Sequence, residues 1–549
     1  MQFIRILFVL ILGGTLVAAD RPAGALNQTR SALLATHGMV ATSQPLAAQA
    51  GLRILQQGGN AVDAAVATAA MLNVVEPMST GIGGDMFAIV YMAKTGELAG
   101  LNGSGRSGYA ASIDFFNKQG MTAIPTTGVY SISVPGAVSG WEALLKKYGT
   151  MSLDQVLQPA IDCAANGFPV SEIIAAEWEH NVPKLSGHPD TARTYLREGR
   201  APKVGEIFIQ PDLASTLQRI AHGGSDVFYR GETAQEIVSS LKKLGGQLTT
   251  RDFADHQSTW VTPVFTTYRD IKLFELPPNG QGIAALEMLN ILEGFDLNSL
   301  GHNSAAYLHL LVEAKKLAFA DRDAYYADPE KATVPVDRLI SKEYAAQQRK
   351  RINLEKAARS FEPGLTGQGD TIYLTVVDKD RNCVSFINSL FHAFGSGIVA
   401  GNTGICLQNR GCLFSLDPKH PNRLEPHKRP FHTIIPALAF KHEKPWLVFG
   451  VMGGDMQPQG HVQVLLNMVD FGMNVQLAGE VPRFRHLSEG LALESEIGPE
   501  VRKSLTEKGH QIVQAVGEFG GYQAIMIDAD SGVLMGGSDP RKDGCVVGW

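Results

Sequence analysis

Between Glu355 and Asp370 the chain changes character, and the change limits the folds open to it. Pro363, Gly364, Gly367 and Gly369, interspersed with Ser, Thr and charged residues, read as an exposed segment without regular structure. One reading of it is a linker between independent domains. Before it, helical spacing predicts helices over Pro45–Gln57, stopped by Gly58-Gly59, over Ala61–Val74, over Ala284–Leu292 and from Ser304 to about Ala327. The Ala61–Val74 stretch is Ala, Val and Leu almost all round, the mark of a buried helix. A hairpin is expected at Met86–Met92 and Leu98–Asn102. After the segment strand signals dominate: Thr371–Val377, Cys383–Ser389, Ile434–Phe440, Trp446–Val451, Gln523–Ile527 and Gly532–Met535. Helices with interspersed strands, then strands with few helices, point to an α+β arrangement of sheet layers covered by helices rather than a Rossmann succession.

The hairpin after the segment carries the first chemical suggestion. Thr371–Val377 and Cys383–Ser389 fold symmetrically about Asp380, which sets Val377 opposite Cys383 and Thr371 opposite Ser389. Directly opposed residues lie about 5 Å apart, so the Ser389 hydroxyl reaches the Thr371 amine or hydroxyl. If the Asp370-Thr371 bond were cut, Thr371 would gain a free amine with a pKa of about 8, a general base attached to its own nucleophile. Without that cut, Thr371 is an ordinary strand residue. Gly453 and Gly454, at the end of an apolar strand, either form a plain tight turn or present two backbone N–H groups as an oxyanion hole. The run Gly103-Ser104-Gly105-Arg106-Ser107-Gly108 matches GxGxxG, but it follows a hairpin rather than opening a βαβ unit, so no dinucleotide is expected there.

Met1–Ala19 reads as a secretory leader: Arg5, the apolar run Ile6–Leu16, then small residues at Val17-Ala18-Ala19. It predicts export to the periplasm or the extracellular space; a buried N-terminal strand or helix is the alternative. No later stretch has the length of a membrane span. The net charge of -6 provides no basic excess for phosphates, so nucleic acid is not an expected partner and a small polar substrate is. Five cysteines are too few and too scattered for a disulfide framework, with Cys406 and Cys412 the only candidate pair. With no CxxC or HExxH spacing, neither a metal nor an organic cofactor is expected.

Several spaced motifs occur in one order: Gly38-Met39-Val40-Ala41, Gly58-Gly59-Asn60-Ala61, Gly81-Ile82-Gly83-Gly84, Asp370-Thr371, Phe394-Gly395-Ser396-Gly397, Lys428-Arg429-Pro430, Gly453-Gly454 and Asp539-Pro540-Arg541. In these the chain resembles the γ-glutamyltranspeptidase family of N-terminal-nucleophile hydrolases. The resemblance implies a four-layer αββα sandwich built jointly by two chains cut from one precursor, here residues 20–370 and 371–549. It implies that Thr371 attacks the Asp370 carbonyl to cut the precursor and then attacks a small amide, forming an acyl-enzyme resolved by water or an acceptor amine. Ser389 falls where the family has a Thr that orients the nucleophile, and Gly453 and Gly454 match its oxyanion-hole pair.

At the substrate positions the chain departs from the pattern. The family's Asn, Gln-Asp and Ser-Ser groups that hold a γ-glutamyl donor are replaced by Phe391, by Arg410 and about Leu413, and by His432-Thr433. Arg410 is either a fork for a carboxylate or a structural salt-bridge residue. His432 suits packing or a hydrogen bond better than catalysis. The segments Ser389-Leu390-Phe391-His392 and Asn409-Arg410-Gly411 look more like the branch that includes oxamate amidohydrolases and some acylases. The expected donor is therefore an acyl group with a carboxylate but no α-amine, although glutathione and other γ-glutamyl compounds stay open. A catalytically inactive anion-binding or scaffold protein with the same fold is the other reading.

Overall fold

A computed structural model describes residues 28–358, 370–515 and 517–549. The expected leader at residues 1–19 and most of the segment before Thr371 lie outside the described residues.

Two seven-stranded antiparallel sheets form the centre of the molecule. In spatial order the first runs Leu33–Ala35, Leu534–Ser538, Tyr522–Ile527, Lys444–Val451, Ala437–Lys441, Ile271–Glu275 and Val264–Tyr268. The second runs Cys545–Gly548, Met39–Thr42, Asp370–Val377, Cys383–Phe391, Asp85–Met92, Glu97–Gly103 and Thr259–Val261. Each sheet interleaves strands from before and after the glycine-rich segment. This overturns the reading of that segment as a linker between independent domains, because neither half retains a complete sheet without the other.

Alternation along the strands separates the layers. Ile372, Leu374 and Val376, with Val384 and Phe386 of the neighbouring strand, pack on the helices Pro45–Gln56, Ala61–Val75 and Ala137–Tyr148. Tyr373, Val377, Cys383 and Ile387 point the other way, meeting Leu438, Val448 and Ile525 of the first sheet. On the far side of that sheet Leu273, Leu447 and Ala524 meet the helices Gly282–Leu292, Ala305–Tyr325 and Met456–Val469. The result is the expected four-layer αββα sandwich. By the same alternation Thr371 and Ser389 belong to the inner faces, between the sheets.

Local chemistry accounts for most element ends. All fifteen residues of the Ala61–Val75 helix are buried, and it opens with a capping box in which Asn60 and Asp63 exchange side-chain and backbone bonds. Asp63 also accepts from the Thr150 and Met151 N–H groups and the Thr150 hydroxyl. Asp63→Ala should remove the acceptor these part-buried donors share and lower stability by about 1–2 kcal/mol in urea unfolding; a loss under about 0.5 kcal/mol would contradict the assignment. The helices Pro45–Gln56 and Ala61–Val75 touch so closely that a Cβ on Gly51 would meet Thr68 Oγ1 at 2.2 Å. Ser304 caps the long helix as expected, accepting from the Tyr307 N–H at 3.1 Å.

Two strands start later than expected. The strand expected from Ile434 begins only at Ala437, because Pro436 has no N–H to give and the Ile435 N–H goes to Gln457 Oε1 at 2.9 Å. The strand expected from Gly532 begins at Leu534, since Gly532, with φ of 71°, sits in the turn. Cys406 and Cys412 do not pair: all five cysteines are free thiols, and Cys406 Sγ donates to the Phe394 carbonyl at 3.1 Å. Among the described residues no helix is long and apolar enough to cross a membrane.

Candidate active site

The hairpin register holds as far as the site and breaks just beyond it. Pairs run from Val377 opposite Cys383 to Ile372 opposite Asn388, after which Asp370 pairs with Phe391, one residue later than symmetry requires. The bulge places the extra residue on the Cys383–Phe391 strand, directly across from Thr371. Thr371 is fully buried, and its Oγ1 lies 3.1 Å from Ser389 Oγ.

Ser389 Oγ also accepts from the Phe391 N–H at 2.9 Å and from Arg410 Nη2 at 2.8 Å. A hydroxyl has two lone pairs and one proton. Ser389 Oγ and Thr371 Oγ1 lie at hydrogen-bond distance, and either oxygen can be the donor. Phe391 reaches this arrangement with φ of 84°, an uncommon conformation for an aromatic residue. Its ring stacks on His392 with centroids 4.3 Å apart, and the Arg410 guanidinium lies 4.6 Å from its centroid.

Arg410, in a short turn of 3-10 helix at Arg410–Leu413, has no exposed surface. Nη1 donates to Thr433 Oγ1 at 2.7 Å, and among the described residues Nε–H meets no acceptor. Among the described residues no carboxylate forms an ion pair with it. Burial pushes the guanidinium pKa down to about 9, against an opposing pull from Asp85. Asp85 is bonded on both oxygens. Its Oδ1 accepts from the Gly105 and Gly136 N–H groups and Gln408 Nε2, and its Oδ2 lies 3.1 Å from His432 Nε2.

His432 is held down to a pKa of about 4 by burial and by Arg410, more strongly than Asp85 raises it. It is a neutral ring that packs on Phe87 at 4.7 Å and hydrogen-bonds Asp85, in keeping with the non-catalytic role expected of it. His392 is pushed down to about 4 by burial and by Lys184 and Arg410. Its Nδ1 lies 3.0 Å from Asn409 Nδ2, which leaves the proton on Nε2, buried and without a partner.

Gly453 and Gly454 take φ of 116° and 55°, left-handed conformations that favour glycine. Their carbonyls accept from the Met456 and Gln457 N–H groups, opening the Met456–Val469 helix. Their own N–H groups meet no acceptor among the described residues and stand at the positive end of that helix. Gln281, which nothing in its local sequence marks, connects the parts: Nε2 donates to the Thr433 carbonyl at 2.7 Å and to the Gly454 carbonyl at 2.9 Å. Its Oε1 accepts from Arg322, which also pairs with Asp455 at 2.7 Å. A continuous path of hydrogen bonds thus runs from Thr371 through Ser389, Arg410, Thr433 and Gln281 to Gly454. The Gly103–Gly108 run, in contrast, opens no helix; Gly105 is there so that the backbone can approach Asp85 and Val134.

The sequence model described as Gamma-glutamyltranspeptidase matches residues 47–549. The chain belongs to the gamma-glutamyltranspeptidase family. As such it is similar to the glutathione hydrolase-like YwrD proenzyme of Bacillus subtilis, with 44% identity over 94% of this chain and 99% of that protein. It is also similar to the oxamate amidohydrolase proenzyme of Klebsiella pneumoniae, with 35% identity over 94% of this chain and 100% of that one. Among solved structures, a cephalosporin acylase from Bacillus halodurans superposes with a TM-score of 0.90 and 43% identity, covering 96% of this chain and 98% of that one. Like these gamma-glutamyltranspeptidase relatives, the protein is an enzyme of the amidohydrolase and acylase class. Nothing among the relatives supports an inactive scaffold, since their names are those of hydrolases and acylases.

Proposed function

We propose that the protein is an exported precursor that cuts itself between Asp370 and Thr371, and that the resulting N-terminal threonine hydrolyses a small amide whose acyl group carries a carboxylate. In the cutting step Thr371 Oγ attacks the Asp370 carbonyl carbon, the acyl group moves from nitrogen to oxygen, and water releases Asp370 as a free acid with Thr371 as a free amine. In turnover the amine takes the Thr371 hydroxyl proton as oxygen attacks the substrate carbonyl. It then gives that proton to the leaving amine, and water or an acceptor amine resolves the ester. Ser389 holds the nucleophile through the hydrogen bond between the two hydroxyls, and the N–H groups of Gly453 and Gly454, which meet no acceptor among the described residues, suit the oxyanion.

The observation that carries the donor assignment is the buried Arg410 guanidinium, which no carboxylate among the described residues neutralises. Such a charge is costly without an anion, and it retains N–H donors beyond those given to Ser389 and Thr433. An α-ammonium would have to share Asp85, which already accepts from the Gly105 and Gly136 N–H groups, Gln408 and His432. Phe391, His392, His432 and Thr433 then shape and position the pocket around the donor. The test is a donor panel of γ-glutamyl anilide, oxamate and glutaryl amides, with and without a dipeptide acceptor. We expect a donor without an α-amine to give the highest kcat/KM; if γ-glutamyl anilide leads by tenfold or more, the Arg410 reading fails.

A further inference from the structure

His309 and Glu313 lie one turn apart on the Ala305–Tyr325 helix and so leave it on one face. His510, just beyond the Pro499–Glu507 helix, meets them from a part of the chain on the other side of Thr371. All three are buried, and one ligating atom from each can be chosen so that all lie within 4.8 Å of one another. His309 Nδ1 stands 2.8 Å from His510 Nε2. His309 Nε2 donates to the Asn353 carbonyl at 2.8 Å, which fixes the tautomer and leaves the Nδ1 lone pair facing the cluster. That is the outer hydrogen bond that orients metal-bound histidines. Glu313 accepts from Lys316 Nζ on one oxygen and from the Ala358 N–H on the other, so each oxygen keeps a lone pair.

We propose that His309, Glu313 and His510 form a site for a divalent cation of the zinc class, which ties the Ala305–Tyr325 helix to the C-terminal part of the chain. Two imidazoles and one carboxylate, with water in a fourth position, suit zinc rather than calcium or magnesium, which take oxygen ligands. The donor atoms of a tetrahedral site with bonds of about 2.0–2.1 Å lie about 3.3 Å apart, so the two rings need to separate by about half an ångström. For His510 to ligate through Nε2, its proton moves to Nδ1, leaving a neutral ring and no net charge change. Burial lowers the pKa of both rings, His510 to about 3, so neither has to lose a proton at neutral pH. Lys316 and Lys508 oppose the cation, but Lys316 is paired with Glu313, and Lys508 is bonded to the Leu354 carbonyl and Glu355.

The site would act as a clasp. Asn353 and Ala358 border the cluster and are close to the end of the described chain before Thr371, while His510 lies well after it. If the chain is cut as proposed, the cation bridges the two products. Metal binding itself does not depend on that cut.

Metal-free full-length protein, with and without Thr371→Ala, is titrated with Co2+ and followed by its visible absorption, then with Zn2+ in competition and by thermal unfolding. One Co2+ per molecule with the intense bands of a tetrahedral site, displacement by Zn2+ and a raised Tm are expected in both forms. His510→Ala and Glu313→Gln should each weaken binding at least tenfold, while His427→Ala, outside the cluster, should bind as wild type does. Absence of a saturable Co2+ signal in the wild-type protein, or equal binding by His510→Ala, would overturn the proposal. Neither result touches amide hydrolysis, so the two readings fail separately.

Discussion

Thr371→Ala protein should purify as one uncut chain and hydrolyse no donor in the panel, a loss of at least about 1000-fold, since removing a nucleophile forfeits the covalent route entirely. Intact mass and N-terminal sequencing read the cut, and a chromogenic amide reads turnover. Thr371→Ser should still cut and retain a fraction of the activity, because it keeps both the hydroxyl and the amine. Cutting that persists in Thr371→Ala would remove the mechanism altogether. In the processed wild-type protein the base is the Thr371 amine, which must be neutral. Its ordinary pKa is about 8, so kcat/KM should fall about tenfold per pH unit below the amine's pKa and level off above it. Ser389→Ala should preserve the fold but slow both cutting and turnover, since Arg410 Nη2, the Phe391 N–H and Thr371 Oγ1 lose their shared partner.

Arg410→Lys should raise KM for carboxylate-bearing donors about 10- to 100-fold, while a neutral acyl donor changes less than about threefold. A charged hydrogen bond contributes about 1.5–3 kcal/mol, and an ammonium does not reproduce the planar fork. Because Arg410 also touches Ser389, some loss of kcat common to all donors is expected; the ratio between donor classes is what tests the assignment. If Arg410 were only a structural residue, the variant would lose thermal stability and all donors alike. A ratio unchanged within about twofold, with Tm intact, would dismiss the carboxylate assignment.

Much of the site is legible in the amino-acid sequence. The Thr371–Ser389 pairing follows from a short turn and period-two alternation, both local properties of residues 371–389. The bulge at Ser389-Leu390 is not legible there, because it arises where the strand meets other parts of the chain: the Leu390 N–H goes to the Ser79 carbonyl and the Asn409 N–H to the Leu390 carbonyl. Asp85 and Gln281 give no local signal for the same reason. Each is an ordinary polar residue in its own stretch, and its partners lie as far off as His432 and Gly454.

The order of residues along the chain is enough to say which of them could react: a hydroxyl behind a glycine-rich approach, a second hydroxyl in register with it, and paired glycines after an apolar strand. It is also enough for the family, through motifs whose succession survives without knowledge of their positions in space. Two things belong to the folded molecule alone: Asp85 is bonded on both oxygens while Arg410, bonded to Ser389 and Thr433, has no ion-pair partner among the described residues, and His510 meets His309 and Glu313. Strand register and caps are set by neighbours in the chain, whereas burial, ion pairing and the pKa of a buried group depend on whatever the fold brings against it, and no local pattern records that.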